Sequence, residues 1–120
     1  MGKILVLDDV SDVGILVKRI LERKGHEVKA FTEEEPALDY ARTGEPELAI
    51  LDIKLKRMTG VQVLEELKRI DNAIRAIMLT GYPTMETARE SLNLGADEYC
   101  VKPIDKDELE AKVASVLARE

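Results

Sequence analysis

The sequence predicts a doubly wound α/β sandwich, and two observations carry that prediction. Short apolar runs alternate strictly with amphipathic stretches from one end to the other, and the clearest runs are continuous and close on acids. Unbroken apolar strands suit a parallel sheet covered on both faces, whereas a sheet with one wet face would show alternation. Strict alternation then requires a helical crossover after each strand, because each right-handed connection must return the chain to the same strand direction.

The first strand is the run from Lys3 to Asp8. From Val13 the residues Leu16, Val17, Ile20 and Leu21 recur at helical spacing, which gives a first helix with five apolar contacts, Ser11 as its cap and Gly25 as its stop. His26 to Phe31 reads as the second strand. Thr32 and Glu35 have the spacing of a capping box, in which the threonine and the glutamate three residues on satisfy free amides of a second helix running to about Gly44. The pattern repeats as strand Leu48 to Asp52, helix Gly60 to Asp71, strand Ala76 to Thr80, helix Thr84 to Leu94, strand Glu98 to Val101 and helix Lys106 to Arg119. Five strands and five helices make a flavodoxin-like three-layer sandwich whose expected strand order is 2-1-3-4-5. The fourth helix offers little beyond Met85, Ala88 and Leu92 to bury, and such weak anchoring suits an element that shifts between two arrangements.

Composition narrows the function. The 120 residues suit a single domain over 1–120, with 45% hydrophobic and 35% charged residues in a globular balance. No apolar run approaches the ~20 residues a membrane span needs, and the stretch from Lys3 to Leu7 is too short for a signal peptide. Cys100 is the one cysteine, so no internal disulfide forms, which fits a reducing, cytoplasmic setting. A net charge of −6 with acids spread throughout leaves no basic face for nucleic acid.

Ligands of doubly wound sheets bind beyond the carboxyl ends of the strands, where the strand order reverses. That point lies between strands one and three, where Asp8, Asp9 and Asp52 converge, with Thr80 ending strand four and Lys102 following strand five. Three clustered carboxylates repel unless a cation sits among them, and an oxygen-only set suits a hard divalent ion such as magnesium. Asp8 and Asp9 are placed to hold the metal. Asp52, the central acid, is placed to act as a nucleophile in phosphoryl transfer, with the Lys102 ammonium and the Thr80 hydroxyl ready for phosphoryl oxygens.

Ile4-Leu-Val-Leu-Asp-Asp9, Leu51-Asp52 with Met58 and Gly60 downstream, Thr80-Gly81, and Tyr99-Cys-Val-Lys-Pro103 together resemble the receiver domain of two-component response regulators. The resemblance runs from Lys3 to Leu117, with the landmarks in the family's order and spacing. It implies that Asp52 is the phosphoacceptor, that Asp8 and Asp9 bind magnesium with the backbone carbonyl of Lys54 as a further ligand, and that Thr80 and Lys102 contact the phosphoryl oxygens. Tyr99 would be the switch aromatic that follows Thr80, and the Lys102–Pro103 bond would be cis. Two positions depart from the pattern: Val10 stands where many relatives carry another acid, and Lys56 where the loop commonly has proline.

The same resemblance implies a partner set. A sensor histidine kinase or histidine phosphotransfer protein would donate the phosphoryl group. A downstream protein or fused output domain would read the face formed by helix four, strand five and helix five, and a phosphorylation-dependent dimer is compatible with it. Direct nucleic-acid binding and membrane association are not expected. The domain is then a signalling switch whose only chemistry is on itself. Two other classes compete with it: a magnesium-dependent phosphatase of the aspartyl-phosphate type, and a receiver-like binding module that no longer switches. The first usually needs an acid two residues after the nucleophile, where this chain has Lys54; the second would have lost an acid, Thr80 or Lys102. Lys54 and Tyr82, two residues beyond Asp52 and Thr80, are expected to flank the phosphoryl group. His26, remote from the acids, is expected at the surface, and Cys100 in the core.

Overall fold

In the computed structural model of the chain, which describes residues 2–55, 57–81 and 84–119 and all their side chains except that of Thr87, strands and helices alternate without exception. The strands are β1 (Lys3–Leu7), β2 (Glu27–Phe31), β3 (Leu48–Asp52), β4 (Arg75–Thr80) and β5 (Glu98–Val101). The helices are α1 (Ser11–Glu22), α2 (Glu34–Gly44), α3 (Gly60–Ile70), α4 (Met85–Asn93) and α5 (Lys106–Ala118). All pairings are parallel and the order is β2-β1-β3-β4-β5, as the alternation predicts. Element bounds differ from the sequence expectation by a residue or two at the ends, where Asp8, His26, Asp71, Thr84, Leu94 and Arg119 fall just outside their elements and Arg75 inside its strand.

Period-two alternation along buried strands builds two cores at once. Leu5, Leu7, Ala49, Leu51 and Met78 point to one face, where Leu38 of α2 and Val63, Leu64 and Leu67 of α3 cover them. Ile4, Val6, Leu48, Ile50, Ile77 and Leu79 point to the other, against Val17, Ile20 and Leu21 of α1 and Leu109, Val113 and Val116 of α5. Every residue of β3 is buried, so this strand is the one whose end is best fixed in space. Cys100 is buried in the second core.

The two expected caps do not form, because each helix starts at a different residue from the one its cap requires. Val10 is the N-cap of α1 with no side-chain bond, and Ser11 is already helical. The turn is instead made by Asp8, whose Oδ1 accepts the Val10 amide at 2.9 Å. At α2 the N-cap is Glu33, again with no side-chain bond, in place of the box between Thr32 and Glu35. With the helix starting at Glu34, its third position is Pro36, which has no N–H for a cap to accept. A capping box does occur at α3, where Thr59 and Gln62 bond reciprocally, each to the other's amide.

Two helices present different faces from those expected. In α4, Met85 and Leu92 are 77% and 60% exposed, while Ser91 is buried. In α1, Leu16 is 44% exposed, so three of the five expected contacts, Val17, Ile20 and Leu21, are fully buried and Val13 packs partly. His26 is half-buried rather than at the surface; its Nδ1 accepts the Gly2 amide at 3.0 Å and so ties the start of β1 to the start of β2. Burial first, and then the nearby N-terminal charge, hold its pKa below the ordinary histidine value.

Candidate functional site

The carboxyl ends of β1 and β3 are neighbours in the sheet, with Leu7 paired to Leu51, so the residues that follow must share one crevice. Carboxylate oxygens of Asp8, Asp9 and Asp52 all lie within 4.8 Å of one another. Asp8 and Asp52 are buried and Asp9 is half-buried. Thr80 is buried at the end of β4, and the amide of Lys102 donates to its carbonyl at 2.7 Å, which brings the start of the next loop over the crevice. From there the Lys102 ammonium reaches Asp8 Oδ2 at 2.9 Å and Asp52 Oδ2 at 3.5 Å.

Each acid has a distinct environment. Asp8 is tied down on both oxygens, by the Val10 amide on one and Lys102 on the other. Asp52 receives the Lys54 amide at 3.3 Å on Oδ1 and the longer contact from Lys102 on Oδ2. Burial, and then the charge of Asp8, raise the Asp52 pKa to about 6, against the pull of Lys102 and the Lys54 amide. The Lys102 pKa is raised in turn: burial opposes this, but the hydrogen bond to Asp8 and the charges of Asp52 and Asp8 outweigh it. Ionised together, three acids and one ammonium leave two negative charges uncompensated in a partly dry crevice. The all-oxygen donor set and that surplus fit a hard divalent cation.

A cavity of about 580 Å³ opens over this cluster, lined by Asp9, Val10, Asp52, Lys54, Leu55, Gly81 and Lys102. The sequence residues Asp8, Asp9, Asp52, Thr80 and Lys102 are thus gathered at one end of the sheet, and Lys54 lines the cavity beside Asp52. The Lys102–Pro103 bond is cis, as the resemblance implies. Tyr99 is half-buried and packs against the first core, on the opposite face of β5 from Cys100. Tyr82 and Lys56 lie outside the described residues. Two lining residues were not expected as site residues, Val10 and Leu55. Val10 was legible as a departure in the motif, whereas Leu55 carries no signal in an apolar-rich sequence.

The loop after Asp52 doubles back tightly. Lys54 and Thr59 form an antiparallel bridge, and the Gly60 amide donates to the Ile53 carbonyl at 2.7 Å. A Cβ on Gly60 would run into the Asp52 carbonyl and lie 2.8 Å from the Ile53 Cα, so only glycine fits against the backbone of the central acid.

A sequence family described as response regulator receiver domain matches residues 4–114. Sporulation initiation phosphotransferase F of Bacillus subtilis (strain 168) is 34% identical over 115 residues, 96% of this chain and 93% of that protein. The alkaline phosphatase synthesis transcriptional regulatory protein PhoP of the same organism is 35% identical over 98% of this chain, which spans about half of that relative, 49% of its length. Among solved structures, a CheY-like response regulator receiver domain protein from Methanospirillum hungatei JF-1 superposes with a TM-score of 0.91 at 34% identity, over 96% of this chain and 92% of that one.

Proposed function

This chain belongs to the response regulator receiver domain family, a family of signalling domains, and on that premise we propose that Asp52 is the acceptor of a phosphoryl group and that residues 1–120 act as one receiver domain. The observation that carries the assignment is the Lys102 ammonium spanning Asp8 and Asp52 at the mouth of the cavity. Asp52 is the central acid, at the end of the fully buried β3 and in the cavity wall, with Asp9 on one side and Lys102 on the other. In the reaction a carboxylate oxygen of Asp52 bonds to phosphorus as the phosphorus–nitrogen bond of a phosphohistidine breaks, and the departing imidazole takes up a proton. Sensor histidine kinases and histidine phosphotransfer proteins are donors of that chemistry.

Asp8, Asp9, Asp52 and the Lys54 carbonyl would hold a magnesium ion, which when bound neutralises charge on the phosphoryl oxygens. Lys102 holds the acids in register beforehand and meets the phosphoryl oxygens afterwards, and the hydroxyl of Thr80, buried at the end of β4, would join it there. Lys54, beside Asp52 at the cavity wall, controls the approach of water to the product. The domain thus works on itself. Among the described residues no helix is long and apolar enough to cross a membrane, which together with the single buried Cys100 supports a cytoplasmic setting.

The exposed Met85, Leu92 and Val101 of α4 and β5 support an output face for a downstream protein, a fused output domain or a second copy of the chain. Thr80 moving toward the new phosphoryl oxygens draws its loop along and gives Tyr99 room beneath α4. Thr80→Ala should therefore keep phosphoryl uptake but lose the amide NMR shifts of Tyr99 and residues 84–94 on addition of beryllium fluoride. Equal shifts in mutant and wild type would refute the coupling.

Two experiments address the site. Incubated with magnesium and a small phosphodonor, the wild type should gain one phosphoryl group by intact-protein mass, and Asp52→Asn none; an unmodified wild type or an equally modified mutant would sink the assignment. Asp9→Ala, which deletes a ligand and a charge, should weaken magnesium binding at least about tenfold by calorimetric titration. Unchanged affinity would exclude Asp9 from the metal site.

A further inference from the structure

The loop between Asp52 and α3 has no proline in its seven residues, Ile53 to Thr59, yet it must hold Lys54 and Leu55 in the cavity wall. Its two ends are fixed, by the fully buried β3 on one side and the Thr59–Gln62 capping box on the other. Its middle is fixed from a different element. Glu34, the first residue of α2, is only 5% exposed, and its Oε2 accepts the amides of Arg57 at 2.8 Å and Met58 at 2.9 Å.

A buried carboxylate that accepts two backbone amides makes charge-assisted bonds, roughly twice as strong as neutral ones. Burial alone would push the Glu34 pKa up, but its own amide, those of Arg57 and Met58, and the Arg57 charge together hold it below the usual carboxylate range. Leu55 and Met58 pack partly against the first core, but a cavity of about 370 Å³ lined by Glu33, Glu34, Glu35, Arg57 and Met58 lies between α2 and the loop, so packing alone does not join the two. Among three consecutive glutamates only Glu34 is buried; Glu33 and Glu35 are exposed. Besides its own amide, its side chain holds a loop 23 and 24 residues further along the chain.

We propose that Glu34 is a positioning residue for the phosphoryl site: by clamping the amides of Arg57 and Met58 it holds the loop that carries Lys54, and so presets the geometry in which the acids and the Lys54 carbonyl receive a divalent cation. The inference rests on the reading of Asp52 as the acceptor. It assigns to one carboxylate on α2 the stiffening that a proline would otherwise bring to the loop.

The test uses the full chain and three variants. Glu34→Ala removes the acceptor, Glu34→Asp keeps the charge but is one methylene too short, and Glu34→Gln keeps one acceptor oxygen for the two amides. Amide exchange in metal-free buffer should quicken about tenfold or more at Arg57 and Met58 in the Ala and Asp variants, with Leu5 and Ile50 in the sheet unchanged. Magnesium affinity should fall about tenfold in the same two variants, the size expected for a group that orients ligands without touching the metal. The magnesium concentration for half-maximal phosphoryl uptake should rise with it, while the rate at saturating magnesium recovers, and Glu34→Gln should lie between. Freed amides with wild-type magnesium affinity would overturn the proposal, and so would amides that stay protected. Should Glu34→Ala fail to fold, Glu34→Asp decides: wild-type half-saturation in that variant refutes the clamp. A wild type that takes up no phosphoryl group refutes the reading of Asp52 instead, while exchange and metal affinity still report on Glu34.

Discussion

In metal-free buffer near neutral pH, Asp52→Asn should be more stable than the wild type, by roughly 1–3 kcal/mol. The cause is the site itself: Asp52 is 6% exposed, faces the buried Asp8 charge, and has its pKa raised to about 6. An acid whose folded pKa lies above its unfolded value of 3.8 binds its proton more tightly in the native state. Stability attributable to it is therefore greatest at low pH and falls as pH rises from about 4 to about 6, with the full penalty present above that window. Asparagine keeps the shape and the acceptor for the Lys54 amide without the charge. The gain should be seen as a rise of several degrees in the thermal midpoint, vanish near pH 4, and shrink when millimolar magnesium stabilises the wild type by mass action. A mutant less stable than the wild type at neutral pH without metal would contradict this account of the electrostatics.

Lys102→Met should move the protein the other way, and further. The ammonium is paired with two buried carboxylates, at 2.9 Å from Asp8 and 3.5 Å from Asp52. Its raised pKa places its contribution fully on the native side at neutral pH, since a lysine with a folded pKa above 10.5 loses its stabilising effect only in strong alkali. Removing it leaves Asp8 buried and without its ion pair, at a cost of about 2–4 kcal/mol. Methionine fills similar volume, so the loss reports charge and not packing. The deficit should narrow as pH falls and the carboxylates protonate, and denaturant unfolding across pH measures it. A deficit independent of pH would mean that the lysine stem, not its charge, stabilises the crevice.

The fold was legible because β3 and β1 are apolar at every interior position, and the site because strand ends in a parallel sheet converge. Asp8, Asp52, Thr80 and Lys102 each sit where a run of strand residues stops, so counting along the chain placed them together. Local pattern failed where a distant partner decides. The capping-box spacing singles out Glu35, three residues after Thr32, whereas the amides of Arg57 and Met58 select Glu34. In α4 the rule that leucine and methionine go inside gave the wrong face. The helix turns Ser91 inward and leaves Met85 and Leu92 outside, which an isolated amphipathic count cannot anticipate when so few apolar residues are available. The Gly60 contact with the backbone of Asp52 is likewise a property of the folded loop, not of its sequence spacing.

The most direct test of the central claim locates the phosphoryl group chemically. A carboxyl phosphate is reduced by borohydride to an alcohol, which converts a phosphorylated aspartate into homoserine and leaves free carboxylates untouched. After treatment of the wild type with magnesium and a small phosphodonor, followed by borohydride and peptide mass mapping, homoserine should be found at position 52 alone. Homoserine at Asp8 or Asp9, or its absence from position 52 in protein shown by intact mass to carry a phosphoryl group, would contradict the assignment of Asp52 as the acceptor.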